Sequence, residues 1–152
     1  MYGLRLGASP ALVMSSDGGA TWVKESFDFR YYGAAVSVKP GIFPAGDALF
    51  FLAEYAFDDH GYYLIVRRTG APGEGRYDLS YLSYLGPHFE DLGDLAFRTP
   101  DDGMGVGWKA SLAYNGRDWV QEDVGTRSFY SVAANPAGGF WAVSEDRLLF
   151  HP

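Results

Sequence analysis

The side chains able to do chemistry are few in this chain and stand mostly in turns. His60, His88 and His151 are its histidines, too scattered for a sequence-local metal site and best read as solvated loop residues. Asp58-Asp59-His60-Gly61 and Asp101-Asp102-Gly103 offer oxygen ligands of the kind Ca²⁺ takes. Neither has the spacing of a calcium loop, so both read as acidic turns. The glycines of Thr69-Gly70-Ala71-Pro72-Gly73-Glu74-Gly75 carry no lysine at the spacing of a phosphate loop and precede a strand rather than a helix. Arg67 and Arg68 are adjacent, so a strand points them to opposite faces. The expectation is a chain with no metal, no cofactor and no catalytic residue.

The densest cluster is Ser15-Ser16-Asp17-Gly18-Gly19-Ala20-Thr21-Trp22. It reads as a hairpin connection. The Asp17 carboxylate can accept from backbone N–H groups of its own turn, and Gly18 and Gly19 can take the positive φ the turn requires. The hydroxyls of Ser15 and Thr21 tie the arms together, and Trp22 is expected to start the outgoing strand and bury its ring.

Those residues match every position of Ser-x-Asp-x-Gly-x-Thr-Trp, and the pattern resembles the Asp-box repeat of sialidase-type β-propellers. The resemblance implies a structural hairpin between the third and fourth strands of a blade, on the side away from the ligand face, and makes Ser15, Asp17, Gly19, Thr21 and Trp22 scaffold. A degenerate copy follows at Asn115, Gly116 and Trp119, where Asn115 stands for Asp17 and Trp119 for Trp22. There Asn-Gly is itself a type I′ hairpin signal. The later half, with an inner strand, a Gly-Trp or Phe-Trp second strand and such a hairpin, looks like repeats of the photosystem II assembly-factor type.

The elements that must position these turns are short strands. Ala35-Val36-Ser37-Val38-Lys39-Pro40, Asp94-Leu95-Ala96-Phe97-Arg98-Thr99-Pro100 and Ser131-Val132-Ala133-Ala134-Asn135-Pro136 each give an apolar run halted by proline. The last two prolines lie thirty-six residues apart, in the range of four-strand blades. These runs are expected as innermost strands buried on both faces. The division that follows is a partial blade over 1–29, blades over 31–85 and 92–126, and a partial blade over 129–152. The fold class is therefore all-β, with propeller-type blades of antiparallel strands. So few blades either make a small, distorted four-bladed ring or leave an open side, and the favoured expectation is that a second copy completes a ring of about seven or eight blades. A sandwich or open barrel is the alternative.

At 152 residues, 47% hydrophobic and without cysteine, the chain is long enough for one cored domain and has neither disulfides nor thiolate metal sites. Its net charge of −7 argues against nucleic acid. No apolar run is long enough for membrane insertion. Met1-Tyr2-Gly3-Leu4-Arg5 lacks the order of a signal peptide, so the expected place is the cytoplasm or an assembly such as a virion. Scarce side-chain amides fit a heat-adapted source.

Recognition is the expected use of the loops on the ligand face. They carry Arg30, Tyr31 and Tyr32; Asp58, Asp59 and His60; His88 and Phe89; and Arg127 and Phe129. Tyr, Phe and Arg are the types that make interface hot spots. The first functional reading is a noncatalytic structural or protein-interaction scaffold, with a protein partner or a second copy. A glycan-binding module, its aromatics stacking on sugar rings, is the second. The resemblance also raises sialidase-like hydrolysis, which needs three converging arginines, a tyrosine nucleophile activated by glutamate and an acid catalyst. Arg5 and Arg30 lie in unrelated contexts, so hydrolysis ranks third.

Overall fold

The computed structural model describes residues 1–6, 10–27, 29–57, 60–85, 91–123, 125 and 127–152. The chain is all-β, and no helix long and apolar enough to cross a membrane occurs among these residues. The first sheet holds β1 (Tyr2–Arg5), β2 (Ala11–Met14) and β3 (Val23–Ser26), joined in chain order. A small hairpin of β4 (Arg30–Tyr31) and β5 (Ala34–Ala35) follows. The second sheet contains β6 (Ser37–Val38), β7 (Phe43–Ala45), β8 (Ala48–Phe57), β9 (His60–Thr69) and β10 (Arg76–Leu85). The third runs β11 (Asp91–Thr99), β12 (Asp102–Trp108), β13 (Ala110–Tyr114) and β14 (Trp119–Gln121). The fourth runs β15 (Phe129–Ala134), β16 (Phe140–Ser144) and β17 (Leu148–His151). Every pairing is antiparallel, and none of the four sheets closes into a barrel.

The sheets stack face to face in chain order. Strand alternation sends neighbouring residues to opposite faces, so Phe51 joins Leu12 and Met14 between the first and second sheets while Phe50 joins Leu95, Leu112 and Trp119 between the second and third. A third cluster sets Met104 and Val106 against Val132, Phe140 and Ala142. Each such fully buried side chain contributes roughly 1.5–3 kcal/mol. β11 lies against both β7 and β15, so edge strands of the second, third and fourth sheets run side by side. No apolar cluster joins the first sheet to the fourth among the described residues.

Three expectations are corrected here. The run 35–40 is not one strand: Ala34–Ala35 pairs with Arg30–Tyr31, Val36 turns into the core, and Ser37–Val38 pairs with β8. The proline-ended strands are not buried on both faces: in β15, Phe129 and Val132 are buried while Tyr130, Ser131 and Ala133 are exposed. Among the described residues the fourth sheet packs against a neighbour on one side only. The turn at Asn115-Gly116 is not type I′, because Gly116 has φ 91° whereas Asn115 stays out of the left-handed region. The connection spans four residues, and the Asn115 side-chain oxygen accepts from the N–H groups of Arg117 at 3.1 Å and Asp118 at 2.8 Å.

Candidate recognition site

Around Asp17 the hydrogen bonds are local. Asp17 accepts from the Ser15 hydroxyl at 2.8 Å, the Thr21 N–H at 2.9 Å and the Thr21 hydroxyl at 2.6 Å. The bonds from Thr21 and then Ser15 hold its carboxyl well below the usual carboxylate range. Gly18 and Gly19 take φ 73° and 98°. Trp22 departs from expectation: it precedes β3, stays 48% exposed and donates its indole N–H to the Gly19 carbonyl at 3.1 Å. With its nitrogen held by the turn, the ring folds back beside Gly19 instead of entering the core. Trp119, its counterpart in the second turn, is only 7% exposed and donates to the Ser80 hydroxyl of the second sheet at 3.0 Å.

A second polar cluster joins the first two sheets. Glu25 accepts from Arg68, from the N–H groups of Gly73 and Gly75 at 3.0 and 3.1 Å, and from the Tyr77 hydroxyl at 2.6 Å. The glycine-rich loop thus wraps a carboxylate. Arg67, on the other face, lies over the Phe50 ring at 6.0 Å. Burial, and then the hydrogen bond to Glu25, push the Tyr77 hydroxyl well above the usual tyrosine range.

The recognition geometry lies at the other end of the second sheet. Its three long strands have ten residues each, against four in each strand of the first sheet. At ~3.3 Å per residue the second sheet runs roughly 20 Å further. The overhanging face carries Tyr55 and Tyr62, direct cross-strand partners, and Leu82 on β10. The hairpin of β4 and β5 roofs part of it. Tyr31 packs edge-on against Tyr55 with centroids 5.2 Å apart, and Tyr32 packs edge-on against Tyr31 at 4.6 Å. Together Tyr31, Tyr32, Tyr55, Tyr62 and Leu82 line a cavity of about 640 Å³. Burial, and then the surrounding phenols with Tyr32 foremost, raise the Tyr31 hydroxyl above the usual tyrosine range. It stays protonated at neutral pH.

Tyr32 is held at a cost. Tyr32 and Gly33 are the central residues of a two-residue turn with φ 47° and 79°, the type I′ geometry. Asn, Asp or Gly is favoured at the first of these positions, and a left-handed residue with a Cβ costs about 1–2 kcal/mol. Yet the Tyr32 side chain is 85% exposed, so burial does not offset that cost.

The other candidate residues are placed apart from this cavity. Arg30 braces the hairpin, its Nη1 donating to the Gly33 carbonyl at 3.3 Å. Arg127 stands between two clefts of about 430 and 330 Å³ beside the fourth sheet. Phe129 is largely buried between the third and fourth sheets beside the bulge in β15, and it lines the smaller of these clefts together with Arg127. Asp58, Asp59, His88 and Phe89 lie outside the described residues, and at His60 only the backbone is described, in β9 rather than in a loop. His151 is likewise a strand residue, with Nε2 2.9 Å from Glu122 Oε1, whose other oxygen accepts from the buried Ser111 hydroxyl at 2.9 Å. Tyr55 and Tyr62 were not marked by the sequence pattern, which shows only apolar strands there. No protein-family model matches the chain, and no curated protein matches it.

Proposed function

We propose that the chain is a noncatalytic protein-interaction scaffold of the Asp-box propeller type, whose stack of blades is completed by a second copy. The observation that carries this is the bare outer face of the fourth sheet. Trp141, Val143, Leu148 and Phe150 are all exposed there, with the Trp141 and Phe150 rings in contact at 4.8 Å. Contiguous exposed apolar faces mark interaction sites. The outer face of the first sheet, opposite Glu25 and Leu12, presents Arg5, Val13 and Lys24. The aliphatic stems and cationic heads of Arg5 and Lys24 complement aromatic rings. The edge strands of the second, third and fourth sheets lie side by side, which supports the propeller reading.

Light scattering over a wide dilution range tests this. A stable dimer or higher ring that Trp141→Asp or Phe150→Asp converts to monomer supports it. A strict monomer overturns it. The exposed tyrosine at the cavity favours glycan binding as a second reading, which a glycan array separates from the first.

A further inference from the structure

We propose that the free edge of β10 takes up an extended segment of a partner protein as an added antiparallel strand. This contact is separate from the bare face of the fourth sheet, and the two fail independently: one through peptide binding, the other through solution mass.

Every second residue of an edge strand turns its N–H and C=O outward, so a long bare edge is a template for another strand. β10 is ten residues long and, among the described residues, is bonded to β9 alone. The other edges offer less. β1, β3 and β17 have four residues each and β14 has three. The opposite edge of the second sheet is split between β6 and β7 and contains Pro44, and β7, β11 and β15 lie beside one another.

Edge strands are ordinarily guarded by charge, proline or a bulge. Arg76 and Asp78 guard only the start of β10, and from Leu79 to Leu85 there is neither charge nor proline. The bulge falls between Leu79 and Tyr81, and its effect is to set two leucines on one face. Leu79 stands opposite Val66 and Leu82 opposite Leu64, both in the core between the first two sheets. Yet Leu79 is 39% exposed and Leu82 36%. An added strand covers both.

The charges fix the occupant's register. Arg76 and Asp78 are exposed and have no ion pair or hydrogen bond among the described residues. Opposite charges directly across a strand pair attract and like charges repel. An antiparallel segment that passes the bulge as β9 does therefore carries apolar residues opposite Leu82 and Leu79, then a base opposite Asp78 and an acid opposite Arg76. A second copy of β10 is a poorer occupant. A two-fold over the whole strand sets one bulge against the other and leaves Arg76 and Asp78 facing the uncharged end.

The experiment is a titration of the full chain with the synthetic peptide Thr-Val-Thr-Val-Lys-Thr-Glu-Thr, read by NMR as amide shifts and hydrogen exchange. One comparison peptide has Lys and Glu exchanged, and another has the central Thr-Val replaced by two prolines. The expected result is saturable shifts and slowed exchange at alternate amides of β10, with β2 and β16 unmoved. Exchanging Lys and Glu is expected to weaken binding roughly tenfold, and the prolines to abolish it, since one falls where the ladder needs an N–H. Leu79→Lys, at an exposed position, is expected to weaken binding as well. The double variant Arg76→Glu with Asp78→Lys is expected to reverse the preference between the two charged peptides, which a merely structural role for these residues would not do. The proposal is overturned if no β10 amide shifts at millimolar peptide, if the proline peptide binds equally, or if the double variant keeps the wild-type preference. Protection of β10 that rises with protein concentration alone would also overturn it, by making a second copy the occupant.

Discussion

Glu25 and Arg68, forty-three residues apart, form a two-pronged ion pair between the first and second sheets, Nη2 to Oε2 at 2.7 Å and Nε to Oε1 at 3.1 Å. Glu25 is 8% exposed and Arg68 2%. The guanidinium also donates to the carbonyls of Gly70 and Ala71 at 2.5 and 2.6 Å, so one pair docks a sheet and shapes a loop.

Removing one partner strands a buried charge. Glu25→Gln is expected to cost about 3–5 kcal/mol, and Arg68→Met a similar amount. The double variant is expected to cost less than the sum of the two, because no charge remains unpaired. Urea unfolding of the three variants measures this, and simple additivity would refute the coupling.

The same pair sets an acid limit. Burial raises the Glu25 carboxyl, but hydrogen bonds from Arg68 and Tyr77, the guanidinium charge and the Gly75 N–H together hold it below its ordinary 4.5. A carboxyl lowered by folding contributes stability that is complete above its unfolded value and is lost as the pH falls through the folded one. Tm is therefore expected to decline below the ordinary 4.5, and more steeply in the wild type than in Glu25→Gln. Parallel Tm profiles would contradict this.

The two turn tryptophans are predicted to differ. Trp119→Ala removes a buried ring and should cost about 3–5 kcal/mol, and Trp119→Phe less. Trp22→Ala, at an exposed ring held over its own turn, should cost under about 1 kcal/mol. Thermal melts decide, and equal losses would show that the two rings are equivalent after all.

Asp94 clasps the fourth sheet. Its Oδ2 accepts from the Ser131 hydroxyl at 2.7 Å and the Val132 N–H at 2.9 Å. Asp94→Ala is expected to speed amide hydrogen exchange through β15, β16 and β17 while leaving β8 and β9 protected. Uniform loss of protection would show that the sheets open together.

The hairpins were legible because their causes are local. Asp17, Gly18, Gly19 and Thr21 carry their own hydrogen-bonding and φ requirements within one turn, and the structure meets them. Arg67 and Arg68 pointing apart followed from strand alternation alone. What was hidden depends on stacking. Glu25 meets Arg68 only because two sheets face each other in a particular offset. His151 meets Glu122 across the third and fourth sheets. Tyr55 and Tyr62 line a cavity because one sheet outruns its neighbour. Trp22 misled because an aromatic at a strand entrance has two destinations, and its indole N–H found the Gly19 carbonyl first. Nothing in the residue types fixes such offsets.

The unequal strand lengths of the first two sheets have one more result. The tyrosine cavity sits at the overhanging end of the second sheet, with Tyr55 at the margin of the shared core and Tyr32 and Leu82 outside it. Substitutions at Tyr32 or Leu82 can therefore reshape the cavity while Leu12, Phe51 and Val66 keep the sheets in register. Specificity in such a protein can drift independently of foldability, and variants selected for new ligands at this end would retain their thermal stability.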